Sequence, residues 1–247
     1  MKKFSLLLVA MFCLTSGIFA QKGIEVGINF TPTSPWILND EDFAEGANLD
    51  FRFNYGFNVG ATLGFNLTDN FGLTTGFMYV SGGQRYITAH ENIDKANQGL
   101  MQRDLRYVRI PVLFKFNGDI NSNVSSFFRI GPHFDFLQSA KYKIERLPFI
   151  GGEGSTSDFL NDTVLKDFDV YKKNVVGLTL EMGSQFTIVD NLKFILAFQL
   201  AGSLTHTEGA DAKGFYPYSG NFLNRERGKA WNVSAGITLG LNYTIGF

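Results

Sequence analysis

The stretch FRFNYGFNVGATLGFNL, residues 51–67, decides the fold. Every second residue in it is apolar, and the residues between are mostly glycine or small polar side chains. Successive side chains of a β-strand point to opposite faces, whereas an α-helix would spread this pattern around its axis. The stretch therefore predicts one long strand with an apolar face and a polar face.

The same alternation returns in seven further segments. The last of them, WNVSAGITLGLNYTIGF at 231–247, is as regular as the first. In each segment the apolar residues share one face, and mostly Gly, Asn, Ser, Thr or charged residues occupy the other. The sequence therefore predicts eight strands, at residues 24–30, 51–67, 71–80, 105–116, 128–136, 176–186, 192–200 and 231–247.

The lengths of the connections predict how these strands are joined. Short turns rich in Asn and Asp fall at 68–70, 117–123 and 189–191, and such turns suit tight hairpins. Between them lie long polar segments, at 31–50, 81–104, 138–171 and 203–229. This alternation places all short turns and both termini at one end of an antiparallel up-and-down sheet.

Two barrels fit this pattern, and they differ in which face meets water. A soluble, lipocalin-like barrel turns its apolar face inward, whereas a membrane barrel turns it outward to lipid. The polar face is rich in Gly, which weakens a strand unless crowding requires it, and the narrow lumen of an eight-stranded barrel supplies that crowding. Aromatic residues also lie near the strand ends, where lipid interfaces favour them. These aromatic residues are Phe51, Phe65, Phe71, Phe116, Trp231 and Tyr243.

We therefore favour an all-β fold, an eight-stranded antiparallel up-and-down transmembrane β-barrel. The N-terminus supports this fold because it has the layout of a secretory signal. A positive start, MKK, precedes an apolar run at 4–12, and Ala20 supplies a small residue for cleavage. The expected division is a signal peptide at 1–20 and an outer-membrane β-barrel domain at 21–247. The only cysteine, Cys13, lies in the leader.

Composition and motifs exclude several functional classes. Hydrophobic residues make up 45% of the 247 residues and charged residues 18%, a balance too apolar for a disordered chain. The formal net charge is −1, and no basic tract offers the phosphate neutralisation that nucleic-acid binding needs. We expect no nucleic-acid partner, no metal site and no cofactor, because no metal-ligand spacing, phosphate loop or nucleotide fingerprint occurs.

The predicted fourth strand carries the most specific motif. YVRIPVLFKF at 107–116 resembles the Tyr-x-x-Ile/Leu-Pro-Leu-Leu-x-Lys strand of the PorT-like outer-membrane β-barrel family. LTTGFMY at 73–79, followed by Gly82 and Gly83, is similar to the preceding strand of that family, and RIGP at 129–132 is similar to its Gly-Pro strand. The resemblance implies a bacterial outer-membrane barrel in contact with membrane lipid. It also implies a structural or accessory role, since one family member assists protein secretion and most are simply called porin-like.

Two residues carry specific expectations. Phe247 is similar to the terminal aromatic residue by which the barrel-assembly machinery recognises its clients, so the resemblance implies that Phe247 is an assembly signal and that this machinery is a partner. Pro111 lies inside a predicted strand, against the general rule for proline. Its missing N–H group is expected at a bulge or an irregularity of the barrel.

Charged residues on the polar face are the candidate functional residues. Arg109 and Arg129 flank one turn and are expected at the depth of Glu181. Unpaired charges are costly in a poorly hydrated interior, so opposite signs should interleave. We interpret the charged residues of the polar face as a salt-bridged plug that closes the lumen. The alternatives are a narrow channel for small solutes and a substrate-binding constellation. The set comprises Glu25, Arg52, Arg109, Lys115, Arg129, Asp135, Glu181 and Lys193.

A lipid-modifying outer-membrane hydrolase is the alternative from a different class. Its site would need a nucleophile, a base and an orienting acid within reach of one another. The available bases are His90, His133 and His206, and His206 is the best placed because Ser203 and Glu208 are close in sequence. Sequence neighbours on a strand point to alternate faces, so we expect no catalytic site and no enzyme activity.

Two of the long connections contain aromatic residues suited to contacts outside the barrel. They either bind a protein or glycan partner at the cell surface or fold over the barrel mouth as a cap. The protein is expected to be a monomer. The aromatic and apolar residues are Phe149, Ile150 and Phe159 in 138–171, and Phe215, Tyr216, Tyr218 and Phe222 in 203–229.

Overall fold

The computed structural model is built from β-strands. It describes residues 23–40, 49–88, 99–118, 122–146, 163–164, 170–209 and 229–246. No helix in these ranges is long and apolar enough to cross a membrane. The strands are β1 (Gly23–Asn39), β2 (Leu49–Arg52), β3 (Gly56–Asn66), β4 (Phe71–Thr88), β5 (Gly99–Asn117), β6 (Val124–Arg146), β7 (Thr163–Val164), β8 (Asn174–Val189), β9 (Leu192–Ser203) and β10 (Ala230–Ile245).

The strands close into an antiparallel barrel. Around the wall they run β1, β3, β4, β5, β6, β8, β9 and β10, and β10 pairs with β1 to close the sheet. β2 continues β3 along β4 after a break at 53–55, and β7 pairs with β6. The predicted eight-stranded antiparallel up-and-down barrel is therefore confirmed.

The strands are staggered around the barrel. A path through paired residues starts at Phe136 on β6 and passes through β5, β4, β3 and the remaining strands of the wall. It returns to β6 at Ser126, so it is displaced along the strand from its starting point. A closed sheet with this displacement must have tilted strands, and the displacement also sets how wide the lumen is. Residues paired across neighbouring strands therefore differ slightly in height, and Arg106 lies close to the height of Phe136.

Short turns and long connections lie at opposite ends, as predicted. β3 and β4 meet in a turn in which the Leu67 and Thr68 amides donate to the Phe71 carbonyl at 3.0 and 2.9 Å. Asp190 and Asn191 alone connect β8 to β9. We call this end the short-turn end and the other the long-loop end. In outer-membrane barrels the short turns face the periplasm and the long loops face outside.

Several strands extend further than predicted at the long-loop end. β1 continues to Asn39, β4 to Thr88 and β6 to Arg146, and β5 begins at Gly99. Much of the predicted loops at 31–50, 81–104 and 138–171 is therefore strand. The prediction was wrong because the extensions of β4, β5 and β6 lose the apolar outward face on which strand recognition depended. In the extension of β1, Pro32 and Pro35 interrupt the strand pattern instead.

The outward face of the wall is apolar and the inward face is polar. In β1 the inward Glu25, Gly27 and Asn29 are buried, while Val26 and Ile28 between them are exposed. A soluble barrel would have the opposite burial, so the exposed apolar band is the lipid-facing surface of a membrane barrel. Its large members include Phe30, Val59, Phe77, Phe114, Phe134, Leu178, Phe198, Leu239 and Leu241.

Aromatic side chains form a girdle at the short-turn end of this band. The ring centroids of Phe71 and Phe116 are 5.4 Å apart, and those of Phe116 and Phe128 are 6.2 Å apart. On the next two strands of the wall, β8 and β9, Phe186 and Phe194 are also 6.2 Å apart. Such girdles lie at the level where hydrocarbon meets the lipid headgroups.

An extra residue between β2 and β3 exchanges the faces of β2. Both strands pair with β4, but the register shifts between them. Phe51 therefore packs inward against Tyr86, with ring centroids 5.3 Å apart, and Arg52 is exposed on the outer face, paired with Arg85. A one-residue slip moves every side chain of a strand to the other face. For this reason the predictions that Arg52 lines the lumen and that Phe51 faces lipid are wrong.

Toward the long-loop end the interior changes from polar to apolar. A cluster of buried apolar side chains fills the barrel there, and we call it the upper apolar cluster. On β5 the inward residues are now Leu105 and Tyr107, and the outward ones are Asp104 and Arg106. This part of the wall has the polarity of a soluble barrel. The cluster comprises Ile37, Met78, Val80, Tyr86, Leu105, Tyr107, Leu137, Ala140, Val170, Tyr171, Val175 and Ala230.

Pro111 interrupts the pairing of β5 without shifting its register. The pairs with β4 on either side of Pro111 keep one register, and the Thr75 hydroxyl donates to the Pro111 carbonyl at 2.8 Å. The register shift of β5 lies between Arg106 and Tyr107 instead. The expected irregularity at Pro111 is thus a gap in the ladder, because proline has no N–H group to donate.

Candidate functional site

Ion pairs are stacked along the interior of the barrel. Nearest the short-turn end, Lys115 Nζ donates to both carboxylate oxygens of Glu25, at 2.7 and 2.6 Å. The side-chain amides of Asn66 and Asn242 donate to the same carboxylate at 3.0 and 3.4 Å. Lys193 is half-buried at this end, in register with Asn242 and close enough to Lys115 for a Coulombic interaction.

The next pair joins β6 to β8. Arg129 and Glu181 are register partners, and Arg129 Nη1 lies 3.4 Å from Glu181 Oε2. The guanidinium also lies over the Phe127 ring, 4.5 Å from its centroid, a favourable cation–π geometry. A cavity of about 10 Å³ adjoins this pair, which is at the lower limit for one water molecule.

The third pair joins β5 to β6 in a bidentate geometry. Arg109 Nε and Nη2 donate to the two Asp135 oxygens at 2.7 and 2.8 Å. Because the fork of a guanidinium matches a carboxylate, this is the strongest type of ion-pair hydrogen bond. Arg109 pairs in register with Asp135, whereas Arg129 pairs with Lys115 and Glu181. The expectation that Arg109 shares the depth of Arg129 and Glu181 is therefore wrong.

A buried histidine adjoins this third pair. His133 Nδ1 lies 2.8 Å from Thr179 Oγ1, and His133 Nε2 lies 3.6 Å from Asp135 Oδ2. Gly177 packs against the imidazole so closely that a Cβ atom there would overlap His133. The hydroxyl of Thr179 was missed at the level of sequence, because only the pairing of β6 with β8 brings it to His133.

Sequence reasoning also missed an ion pair at the long-loop end. Arg103 Nη1 lies 3.7 Å from Glu208 Oε1, and Asn39 Nδ2 donates to Glu208 Oε2 at 3.2 Å. Arg103 continues the inward phase of Leu105, Tyr107 and Arg109, and that period-2 signal could have found it. Glu208 carried no such signal, because a bridge between Glu208 and Tyr171, outside the strands, places it.

The structure therefore places seven of the eight predicted charges in the lumen and pairs six of them with one another. The pairs are Glu25 with Lys115, Arg109 with Asp135, and Arg129 with Glu181. Lys193 lies at the short-turn end, and Arg52 lies on the outer face.

Hydrogen bonds also cross the lumen from wall to wall. Tyr107 on β5 accepts a hydrogen bond from Asn232 on β10, the opposite side of the barrel, at 3.3 Å. Closer to the short-turn end, Asn58 Nδ2 on β3 donates to Gln199 Oε1 on β9 at 2.9 Å. The cavity beside Tyr107 measures about 30 Å³, which is room for about one or two water molecules.

The remaining candidate residues lie elsewhere. His206 is half-buried and packs edge-on against Trp231, with centroids 5.2 Å apart. Within the described ranges, no group of three or more His, Cys, Asp or Glu side chains could hold a metal ion. His90, Phe247, residues 1–20 and the loop residues Phe149, Ile150, Phe159, Phe215, Tyr216, Tyr218 and Phe222 lie outside the described residues.

Comparison with known proteins identifies the family. The model of the outer membrane protein beta-barrel domain family matches residues 17–208. No curated protein matches the chain. Three solved structures are similar in fold. Neisserial surface protein A is 10% identical, over 90% of this chain and 97% of that chain, with a TM-score of 0.45.

The other two are also outer-membrane proteins. OprG from Pseudomonas aeruginosa is 12% identical, over 92% of this chain and 98% of that chain, with a TM-score of 0.47. Ail, the attachment invasion locus protein of Yersinia pestis, is 14% identical, over 90% and 98%, with a TM-score of 0.38. These likenesses concern the fold alone. On the match to the family model, the chain belongs to the outer membrane protein beta-barrel domain family and is a protein of the bacterial outer membrane.

Proposed function

We propose that this protein is a closed, non-conducting barrel that works as a structural, binding or accessory component of the outer membrane. The observation that carries this proposal is the set of side-chain contacts that cross the lumen. Lys115 reaches Glu25, Asn58 reaches Gln199 and Tyr107 reaches Asn232, each from one wall toward another. A solute that passes through the lumen would have to break each of these contacts.

The upper apolar cluster strengthens the closure. It packs Tyr86, Leu105 and Tyr107 inside the barrel at the long-loop end, and Val170 and Tyr171 from the connection before β8 join it. Hydrated ions do not cross an apolar constriction readily. The barrel thus combines a polar plug in the membrane with an apolar plug above it, which favours a closed barrel over the narrow-channel alternative.

Single-channel recording in planar bilayers tests the closure. The intact barrel should give no stable large conductance. Replacing both Arg109 and Arg129 with Ala removes two large side chains and strands Asp135 and Glu181, so this variant should either pass small currents or unfold at lower temperature. Sustained current through the unmodified barrel would contradict the closed barrel and support the narrow-channel alternative.

The resemblance to the PorT-like family makes assistance to protein secretion the more specific form of this proposal. Its support is the family motif at 107–116, which lies within β5 and supplies residues to both faces of that strand. Deleting the gene and comparing secreted proteins by quantitative mass spectrometry tests it. Selective loss of secreted proteins, restored by the wild-type gene, supports the accessory role, and an unchanged set restricts the proposal to a structural or binding role.

We also propose that the protein is not an enzyme. His133 is buried beside Thr179, and both oxygens of its acidic neighbour Asp135 accept from Arg109. These contacts hold the His133 imidazole in place, and its burial leaves no access for a substrate. Cells that carry His133→Ala or His206→Ala should have unaltered lipid A by mass spectrometry, and a lost acyl modification in either variant would contradict the proposal.

A further inference from the structure

The pairing of β1 with its neighbour β3 stops short of the long-loop end. β1 is in register with β3 only as far as Thr33, whereas its pairing with β10 continues to Asn39. Among the described residues, 82–84 of β4 have no register partner between the pairings of β4 with β3 and with β2. We call this break the wall seam, and it lies between 34–38 of β1 and 82–84 of β4.

The residues at the wall seam are poorly suited to continue a ladder. Pro35 has no N–H group to donate, and a Cβ atom at Gly82 would lie 3.4 Å from Pro35 Cβ. Gly83 has a φ of 142°, a conformation that favours glycine, and a Cβ atom there would overlap the Arg103 carbonyl. Two consecutive glycines thus leave the wall seam without side chains from this part of β4.

A buried side chain bridges the wall seam instead. The Ile37 amide of β1 donates to Gln84 Oε1 at 3.1 Å. Gln84 Nε2 in turn donates to the carbonyls of Arg85 and Arg52, at 3.1 and 3.5 Å. Gln84 is fully buried. Because a side chain changes rotamer far more readily than a strand changes register, the wall seam is a place where the barrel wall opens easily.

A cavity of about 30 Å³ lies directly inside the wall seam. Pro35, Gly82 and Gly83 line its outer side, and Tyr107 and Asn232 line it from within the barrel. The Tyr107 hydroxyl accepts from Asn232 Nδ2, which leaves its own proton to donate. Asn232 Oδ1 is buried and has no hydrogen-bond donor among the described residues. The cavity therefore offers one donor and one acceptor to a small polar molecule.

We propose that the wall seam is a side entrance through which small neutral polar molecules reach this cavity, with the Gln84 side chain as its latch. When Gln84 turns away from the Ile37 amide, the hydrogen bond that joins β1 to β4 at this point is lost and the cavity meets the outside. The cavity ends on the ion pair of Arg109 with Asp135. The entrance therefore opens no path across the membrane, and it is compatible with a closed lumen.

Thiol labelling of the purified mature barrel in detergent tests this entrance. Ala201→Cys places a thiol at a buried position on the cavity wall, and methyl methanethiosulfonate is the small neutral probe. Adding Gln84→Ala should raise the labelling rate at least about tenfold, because the hydrogen bonds that close the wall seam are lost. An unchanged rate would overturn the proposal. Gel mobility without boiling checks folding, and Gln84→Met serves if Gln84→Ala does not fold.

Two controls separate the wall seam from a general loosening of the barrel. Gln185→Ala removes another buried glutamine, near the short-turn end, and should change the labelling of Ala201→Cys less than about twofold. Thr74→Cys places the thiol at the smaller cavity among the ion pairs, and Gln84→Ala should change its labelling less than about twofold. Equal effects of the two glutamine variants, or equal acceleration at the two cysteines, would contradict the side entrance.

A charged reagent tests the class of molecule that enters. Sulfonatoethyl methanethiosulfonate has the same reactive group as the neutral probe. Relative to its rate with a free thiol, it should label Ala201→Cys in the Gln84→Ala barrel at least about tenfold more slowly than the neutral probe, because a charge loses its water in the cavity. Equal relative rates would overturn the restriction to neutral molecules.

A cross-link locates the entrance. The separation of Pro35 Cβ from a Cβ atom at Gly82, 3.4 Å, is close to the Cβ separation of a disulfide, about 3.5–4.5 Å. In the Ala201→Cys barrel with Gln84→Ala, a disulfide between Pro35→Cys and Gly82→Cys should abolish the accelerated labelling, and a reductant should restore it. Peptide mapping confirms which cysteines are joined. Fast labelling of the cross-linked protein would contradict entry through the wall seam.

Discussion

Lys115 is buried more completely than almost any other charged residue in the barrel, with 1% of its surface exposed against 5% for Glu25. A charge in such a place is tolerable only when a partner and further hydrogen bonds replace its water. Asn66 and Asn242 supply the further bonds to Glu25. At the residue scale, the charged groups in the lumen therefore depend on one another. Replacing one member of an ion pair should lower the free energy of unfolding more than replacing both members.

Lys115→Met should lower the free energy of unfolding by about 3–5 kcal/mol, because it leaves the Glu25 carboxylate buried without its cation. Urea unfolding in lipid vesicles, followed by tryptophan fluorescence, measures the change. The double variant Glu25→Gln/Lys115→Met should recover most of the loss. Lys193→Met, at a half-buried position, should cost less than Lys115→Met. A double variant as unstable as Lys115→Met would contradict the dependence of the two residues on each other.

Gly177→Ala should destabilise the barrel by about 1–3 kcal/mol, because the added methyl group overlaps the His133 ring and lies 2.5 Å from the Gly202 carbonyl oxygen. Gly202→Ala is the matched control on the neighbouring strand, where a Cβ atom would meet nothing closer than 3.9 Å. The control should change stability by less than about 0.5 kcal/mol. The same unfolding assay compares the two variants, and equal effects would show that crowding in the lumen is not the cause.

At the element scale, hairpin length divides the barrel into two zones. β5 and β6 form the longest hairpin and continue beyond the apolar row of Tyr79, Val108 and Phe136. Above that row the outward residues are polar, and the inward Leu105, Tyr107, Leu137 and Ala140 join the upper apolar cluster. One strand thus has membrane polarity in its lower part and soluble polarity in its upper part, since the solvent outside changes from lipid to water.

Single cysteines should report which hairpin ends face outside. Lys172→Cys, at the long-loop end, and Asp190→Cys, in the turn between β8 and β9, both stand at exposed positions. A membrane-impermeant maleimide added to intact cells should label Lys172→Cys and spare Asp190→Cys until the outer membrane is permeabilised. The only native cysteine, Cys13, is in the predicted leader, so the background should be low. Labelling of Asp190→Cys but not of Lys172→Cys in intact cells would show that the barrel has the opposite orientation in the membrane.

At the scale of the whole molecule, closure of the sheet leaves the eight-stranded wall without a first and a last strand, because β10 pairs with β1 along nearly its whole length. A closed barrel can meet lipid on all sides, since each backbone group inside the membrane finds a partner on a neighbouring strand. Closure also leaves little free surface for self-association by strand pairing. We therefore expect a monomer, which sedimentation in density-matched detergent measures.

Deleting Phe247 should lower the amount of inserted barrel in cells while refolding in detergent stays largely intact. The reason is that one terminal side chain contributes little to packing, whereas the family resemblance assigns it to recognition by the assembly machinery. Fractionation with unboiled gels measures insertion in cells, and the same gels follow refolding of purified protein. Equal losses in the two assays would assign Phe247 a structural role instead.

The sequence by itself determined the barrel, its strand number, its inside-out polarity and the inward position of most charges. It could do so because these properties follow from period-2 alternation and from the lengths of connections, which are local. Only the tertiary structure decided which charges meet, since Arg109 could be matched to Asp135, and Arg129 to Glu181, only through the register of neighbouring strands. It also decided the outward position of Arg52, because a single extra residue at 53–55 exchanges the faces of β2 and leaves no mark on composition or period. The insertion of Glu208 beside Arg103 depended on contacts between segments distant in sequence.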